Sequence, residues 1–211
     1  EVAISAKEYL AYAAPLMRQK RSPIHSIEPQ IYAALLEARD LGVDTVLTGE
    51  NADSLFGGFD GLLGEDRSFD TFVKRFTYVD PAEVLVEHVD VSDAFEPYRR
   101  GDGIDPHAVM SEVFAEESLH SYLNPAELAE IDLISPFAET RMAEPRDLER
   151  VRSGESKYLV RDLFSLRYPD LRPAAKRPMP RAVDALLVGW AGPTDSSFRR
   201  VDVATMRPDQ K

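Results

Sequence analysis

The stretch that most constrains the fold of this 211-residue sequence is a short apolar, β-branched run, Val43-Asp44-Thr45-Val46-Leu47-Thr48, with Gly42 before it and Gly49 after it. A run of that length between glycines is too short for a helix and predicts a buried strand. Directly upstream, Glu28-Pro29 opens a helical pattern that carries Ile31, Tyr32, Leu35, Leu36 and Arg39 until Gly42 stops it. Proline suits a first turn, where its missing N–H costs no hydrogen bond, and glycine suits the left-handed residue that closes a helix. Helix, glycine, strand and a glycine-bearing loop together make an α/β unit, and in such units ligands collect outside the carboxyl ends of the strands. The loop after Thr48 is therefore where chemistry is expected.

Around that unit the pattern is helical. Ser5 with Glu8 forms a capping box, and Tyr9, Leu10, Ala13, Leu16 and Met17 recur at helical spacing, which predicts a helix over 6–20. Beyond Phe59 strand signals stop, and helices are expected near 69–76, 81–88, 106–122, 125–131, 158–167 and 182–190. Asp80-Pro81, Asp105-Pro106 and Asn124-Pro125 each place a capping side chain before a proline, the pattern of a helix start. Val2-Ala3-Ile4 reads as the end of a strand already in progress, so Glu1 is expected to be a cut rather than a native start. Residues 1–195 are expected to form one domain, with 196–211 a polar, basic tail that frays.

Composition narrows the chemistry. The 37 Asp and Glu against 25 Lys and Arg give a net charge of −12, which argues against binding to phosphate backbones or anionic membranes. The chain has no cysteine, which removes disulfides, zinc–thiolate sites, iron–sulfur clusters and thiol nucleophiles. No apolar run approaches the roughly 18 residues of a membrane span, and no signal peptide is evident, so a cytoplasmic setting is expected. His25, His88, His107 and His120 lack metal-ligand spacing and read as surface or structural, as do Glu116-Glu117 and Arg99-Arg100, expected on solvated helix faces. Trp190 is expected to anchor the last helix by packing.

Catalysis must then run on oxygen and nitrogen groups. Glu50 and Asp53 lie between Gly49 and the Gly57-Gly58 pair, where backbone amides can come close to a bound group or adopt positive φ. One carboxylate could serve as a general base and the other as a Mg²⁺ ligand beside a phosphate chain. Spacing alone favours a plainer reading, in which Asp53 caps a short helix and the glycines turn the chain, because short Gly/Asp motifs recur by chance.

Thr48-Gly49-Glu50-Asn51-Ala52-Asp53-Ser54-Leu55-Phe56-Gly57-Gly58-Phe59 resembles the Gly-Glu-Gly-x-Asp-Glu-x-Phe-Gly-Gly-Tyr signature of the asparagine synthetase family, in its synthetase domain. Ala38-Arg39 and Gly42-Val43 are similar to the family's approach to that strand. Asp132-Leu133-Ile134-Ser135-Pro136-Phe137-Ala138-Glu139 is similar to its Glu-x-Arg-x-Pro-Phe-Leu-Asp, and Ser156-Lys157-Tyr158-Leu159-Val160-Arg161 to its Gly-Lys-x-x-Leu-Arg. A basic, proline-rich segment, 172–180, follows in the family's order. The resemblance implies a mostly helical, partial α/β fold of the adenine-nucleotide α-hydrolase-like, PP-loop ATP pyrophosphatase type, with a small parallel sheet and a helical C-terminal part. It implies ATP and Mg²⁺ as cofactors and a reaction in which a carboxylate, aspartate in the family, is adenylated and then captured by ammonia as an amide. Residue by residue it implies Asp53 as the Mg²⁺ ligand, Glu50 as the base at the reacting centre and Lys176 as the cation that neutralises phosphate charge, with Gly49, Gly57 and Gly58 lining the nucleotide site.

The departures shape the remaining expectations. The family's Ser-Gly-Gly-x-Asp-Ser phosphate loop appears nowhere, and Ser153-Gly154-Glu155-Ser156 does not replace it, so this chain by itself is expected to be inactive. Ser54, Ile134 and Asp132 stand where the family usually has Glu, Arg and Glu, which bears on the acyl substrate. Without cysteine the chain cannot supply the glutaminase nucleophile. Ammonia, a segment or chain carrying the phosphate loop or a glutaminase domain, and a homodimer are the expected partners. Two other readings remain open: a related adenylating synthetase that closes β-lactam rings or cyclises peptides, and a non-catalytic relative that binds partners.

Overall fold

The computed structural model describes residues 2–77, 79–87, 89–172, 186 and 188–206. In chain order the elements are α1 (Ala6–Lys20), α2 (Glu28–Asp40), β1 (Thr45–Leu47), α3 (Ala52–Phe56), α4 (Asp60–Leu63), α5 (Phe69–Phe76), α6 (Pro81–Val84), β2 (Arg99–Arg100), β3 (Gly103–Ile104) and α7 (Pro106–Val109). A π-turn (Met110–Phe114) leads into α8 (Ala115–Ala129), followed by β4 (Asp132–Ile134), α9 (Pro136–Glu139), α10 (Leu148–Arg152) and α11 (Tyr158–Arg167). The chain is thus α/β, about half helical, with a small parallel sheet. It divides into two compact units, residues 1–65 with 110–183, and residues 66–109 with 184–211. Lys176, His88 and, of the helix expected near 182–190, residues 182–185 and 187 lie outside the described residues.

The first unit is organised by β1 and β4, which pair in parallel with Val46 opposite Leu133. Both of these side chains pack on a buried cluster of Leu35 from α2 with Ala126, Ala129 and Ile131 at the end of α8. The opposite face carries Leu47 and Ile134, both exposed. The strand predicted over 43–48 is therefore buried on one side only, because among the described residues α2 and α8 cover a single face. β4 was not expected as a strand. Its apolar core is only Leu133 and Ile134, too short for periodicity to register, and it is identified by its partner rather than by its own pattern.

A polar knot ties α1, α2 and α8. Glu28 is 0% exposed, and its carboxylate accepts from Lys20 Nζ at 2.7 Å, the His25 N–H at 2.7 Å and Asn124 Nδ2 at 2.6 Å. Asn124 Nδ2 also reaches the Leu16 carbonyl. This knot explains why the helix break expected at Asn124-Pro125 does not occur. The Asn124 side chain is spent on Glu28 instead of capping a new helix, and Pro125 lies buried inside a continuous α8. α1 starts as expected, with the Ser5–Glu8 capping box complete. Residues 2–5 ahead of it form no strand.

The second unit is built on α5, capped by Ser68 and burying Phe69 and Phe72. Phe72 meets Phe76 and Phe95 at ring separations of 4.5 and 5.5 Å. Arg99 and Arg100 lie not on a helix but in the hairpin β2–β3, where Gly101 takes the positive φ, 59°, that the tight turn asks for. The Arg99 guanidinium sits 3.6 Å over the Phe69 ring. α6 stops at Val84, short of the helix expected to residue 88, because Leu85 turns extended to bridge Phe198. The segment expected to fray is held there too: Val86 N–H donates to the Ser197 carbonyl at 2.9 Å and Arg199 N–H to the Val84 carbonyl at 2.8 Å. Residues 188 and 189 form a turn, followed by Trp190, which is partly buried.

Candidate functional site

The predicted loop lies at the carboxyl end of the β1–β4 pair. The ladder extends one step further, Thr48 N–H donating to the Ile134 carbonyl at 2.9 Å, and the chain then turns away. Glu50 is fastened at this point. Its N–H donates to Thr48 Oγ1 at 3.2 Å, and its carbonyl accepts from Ser135 Oγ at 3.1 Å. Its carboxylate accepts hydrogen bonds from Ser118 Oγ and from the Tyr122 hydroxyl. Ser118 and Tyr122 stand one helical turn apart on α8, so both point to the same side. Burial, then the negative charge of Glu50 and the hydrogen bond to it, push the Tyr122 hydroxyl up to about 12. At ordinary pH it is a neutral donor.

Three residues on, the chain makes a second anchored carboxylate. Asn51 has φ 68°, is 8% exposed, and has an Oδ1 closed off from solvent with no hydrogen-bond partner. α3 follows and ends at Gly57, whose φ of 74° is the left-handed closing residue expected there. Asp53 lies 2.7 Å from Lys157 Nζ through Oδ1, an ion pair without hydrogen-bond geometry. A Cβ on Gly58 would overlap the Asp53 carboxylate and lie 2.5 Å from Lys157 Cε, so glycine here lets the Asp53–Lys157 pair close over the backbone, and a larger residue would displace both side-chain ends. Gly49 is different. A side chain there would meet nothing within 4 Å, and the protein itself imposes no glycine. Arg146 secures α3 from behind, donating to the Ser54 carbonyl and to the Leu55 carbonyl at 3.2 Å. Burial lowers the Arg146 pKa from its usual value. Phe56 packs edge-on against Phe137 of α9 at 5.4 Å.

The two carboxylates thus share one loop but are anchored to different helices, Glu50 to α8 and Asp53 to Lys157 at the start of α11. Lys176 lies outside the described residues. Lys157 was quoted in the sequence only as part of a longer segment, and its pairing with Asp53 had no sequence signal beyond that segment's place after the loop. Ser118, Tyr122 and Arg146 were missed altogether, since hydroxyls and arginines on an amphipathic helix or loop look like solvated surface until the partner is known. His25 and His120 are exposed and His107 is half-buried. A groove of about 710 Å³ in the second unit, lined by Arg67, Asp70, Lys74, Asp80 and Glu83 among others, contains none of the predicted site residues.

Among the described residues no cluster of three or more His, Asp or Glu could hold a metal ion by itself. Asp53 offers one carboxylate as a hard oxygen ligand, on a side chain that is 43% exposed, although its Oδ1 is closed off from solvent beside Lys157. That donor set suits Mg²⁺ arriving on a polyphosphate, which brings most of its own ligands, and does not suit an ion held wholly by protein. No helix among the described residues is long and apolar enough to cross a membrane. No protein-family model, no curated protein and no solved structure matches this chain.

Proposed function

We propose that this chain carries the amide-forming half of an ATP-dependent synthetase of the asparagine synthetase type, within a partial PP-loop fold. The observation that carries the reading is the mounting of Glu50 at the carboxyl end of a parallel strand pair by Ser118, Tyr122 and Ser135. The Asp53–Lys157 ion pair on the same loop adds to it.

In this reaction ATP is a substrate: the oxygen of a carboxylate attacks its α-phosphorus, and pyrophosphate leaves. An amine nitrogen then attacks the activated acyl carbon, AMP leaves, and the amide remains. Glu50 takes the proton that the amine nitrogen sheds on attack, which general-base catalysis by a fixed carboxylate can accelerate ~10²–10⁴-fold. Mg²⁺, when bound through Asp53, supplies charge neutralisation at the phosphates. Lys157, and Lys176 by resemblance, supply positive charge to the same phosphates. Aspartate and ammonia are the substrates this reading favours, because a carboxylate at position 50 suits a nitrogen nucleophile that must lose a proton.

The test is pyrophosphate release from ATP by the natural polypeptide that carries this chain. Release that requires both aspartate and ammonia supports the proposal. Release that requires a larger carboxylate and no ammonia replaces it with a ring-closing synthetase, and failure to bind nucleotide in calorimetry refutes both.

A further inference from the structure

Four hydroxyl groups converge on Glu50. Thr48 Oγ1 and Ser135 Oγ fix its backbone N–H and carbonyl, while Ser118 Oγ and the Tyr122 hydroxyl fix its carboxylate. The two backbone ties come from the ends of β1 and β4, which are held in register by the sheet. The two carboxylate ties come from one face of α8, a helix anchored independently by the buried Glu28–Asn124 bond at its far end. Glu50 is therefore located from two rigid bodies of the same unit, with its main chain set by one and its side-chain tip by the other. A carboxylate serving only as surface charge has no need of such a mount, and a side chain that must meet one reacting atom does.

We propose that Ser118 and Tyr122 are positioning residues that hold the Glu50 carboxylate in the single orientation in which it accepts the proton of the attacking amine. The proposal rests on the amide-forming reading above and adds to it a division of labour. Attack of the carboxylate on ATP makes no use of Glu50, whereas capture by the amine does. The α8 hydroxyls should therefore matter for the second step far more than for the first. Tyr122 is suited to this post because it keeps its proton throughout the working pH range and offers Glu50 a donor instead of a competing anion. Glu50 is also the charged group whose field Tyr122 feels.

Two experiments test this. In the chain as it stands, ¹³C labelling of the tyrosine Cζ allows Tyr122 to be followed by NMR among the 8 tyrosines, with Tyr122→Phe assigning its signal. Glu50→Gln is expected to lower the Tyr122 midpoint from about 12 while burial keeps it above the ordinary value. An unmoved midpoint would overturn the contact. In the natural polypeptide, carboxylate-dependent exchange of pyrophosphate into ATP reads the first step and amide product reads the second. Tyr122→Phe combined with Ser118→Ala is expected to cut amide formation at least ~10-fold more than exchange, the scale of loss that a misplaced catalytic group produces. Ser118→Thr, which keeps the hydroxyl, is expected to restore most of the Ser118 share. Equal losses in both steps, or none in either, would overturn the positioning role. Absence of exchange in the unaltered protein would instead refute the functional reading, a separate outcome that the NMR measurement distinguishes.

Discussion

Removing the Glu28 carboxylate should be among the most damaging single changes to the first unit. The side chain is 0% exposed and accepts three hydrogen bonds of 2.6–2.7 Å, from Lys20, the His25 N–H and Asn124. Glu28→Ala removes both acceptor oxygens and so all three hydrogen bonds at once. Lys20, with its side chain 20% exposed, can swing partly into water, but Asn124 is only 8% exposed and its amide would keep only the longer bond to the Leu16 carbonyl, at 3.4 Å. A stranded buried donor costs about 1–3 kcal/mol, and loss of one member of a buried ion pair about 3–5 kcal/mol. Because Lys20 partly rehydrates, the combined loss is taken as ~3–5 kcal/mol and not the sum. For a chain of this size that lowers Tm by roughly 6–20 °C. Thermal unfolding followed by far-ultraviolet circular dichroism measures it directly, and urea unfolding should show a lower midpoint at an unchanged slope. Pairing Glu28→Ala with Lys20→Met should cost less than the two single losses added, because each already breaks the same bond. A Glu28→Ala variant that melts within about 3 °C of the parent would refute the reasoning, since no buried polar knot could then be holding these three helices.

Three further outcomes follow from the site. The folded Tyr122 pKa is raised to about 12 from the ordinary 10.0, so its share of stability is fully present below pH 10 and is lost as pH rises from 10 through 12. Urea midpoints of the parent should fall across that window more steeply than those of Tyr122→Phe, and parallel curves would count against the assignment. Gly58→Ala should push the Asp53 carboxylate off Lys157 and lower Tm by several degrees, whereas Gly49→Ala, with open space around it, should shift Tm by less than about 2 °C. Asp53→Ala in the natural polypeptide should lower turnover at least ~10²-fold, as loss of a charge-stabilising group does, and near-normal turnover would remove Asp53 from the site.

How much of this was legible in the sequence depends on whether the deciding interaction was local. The helices over 6–20, 28–40, 69–76 and 158–167 were, because their caps, prolines and apolar spacing lie within the element itself. β4 was not, since three residues of strand are defined by their neighbour. The break expected at Pro125 failed because Asn124, a good cap by local rules, has a better partner in Glu28, far away in sequence. The same holds for the site. Glu50, Asp53 and the glycines at 57 and 58 share one short segment and could be picked out together. Ser118 and Tyr122 reach that segment only through the tertiary fold, with nothing in their own neighbourhoods to mark them, and Lys157, though it stands in a segment quoted from the sequence, pairs with Asp53 only in the fold.

The central claim is that the loop after β1 serves an enzyme that activates a carboxylate by adenylation and then converts it to an amide. The most direct measurement supplies the natural polypeptide with ATP, Mg²⁺, ammonia and aspartate labelled with ¹⁸O in its carboxylates, and weighs the nucleotide product. Adenylation transfers one carboxylate oxygen to the α-phosphorus, so the account predicts AMP carrying one ¹⁸O, and loss of that product in Asp53→Ala. Formation of ADP, or of AMP without the label, would contradict it.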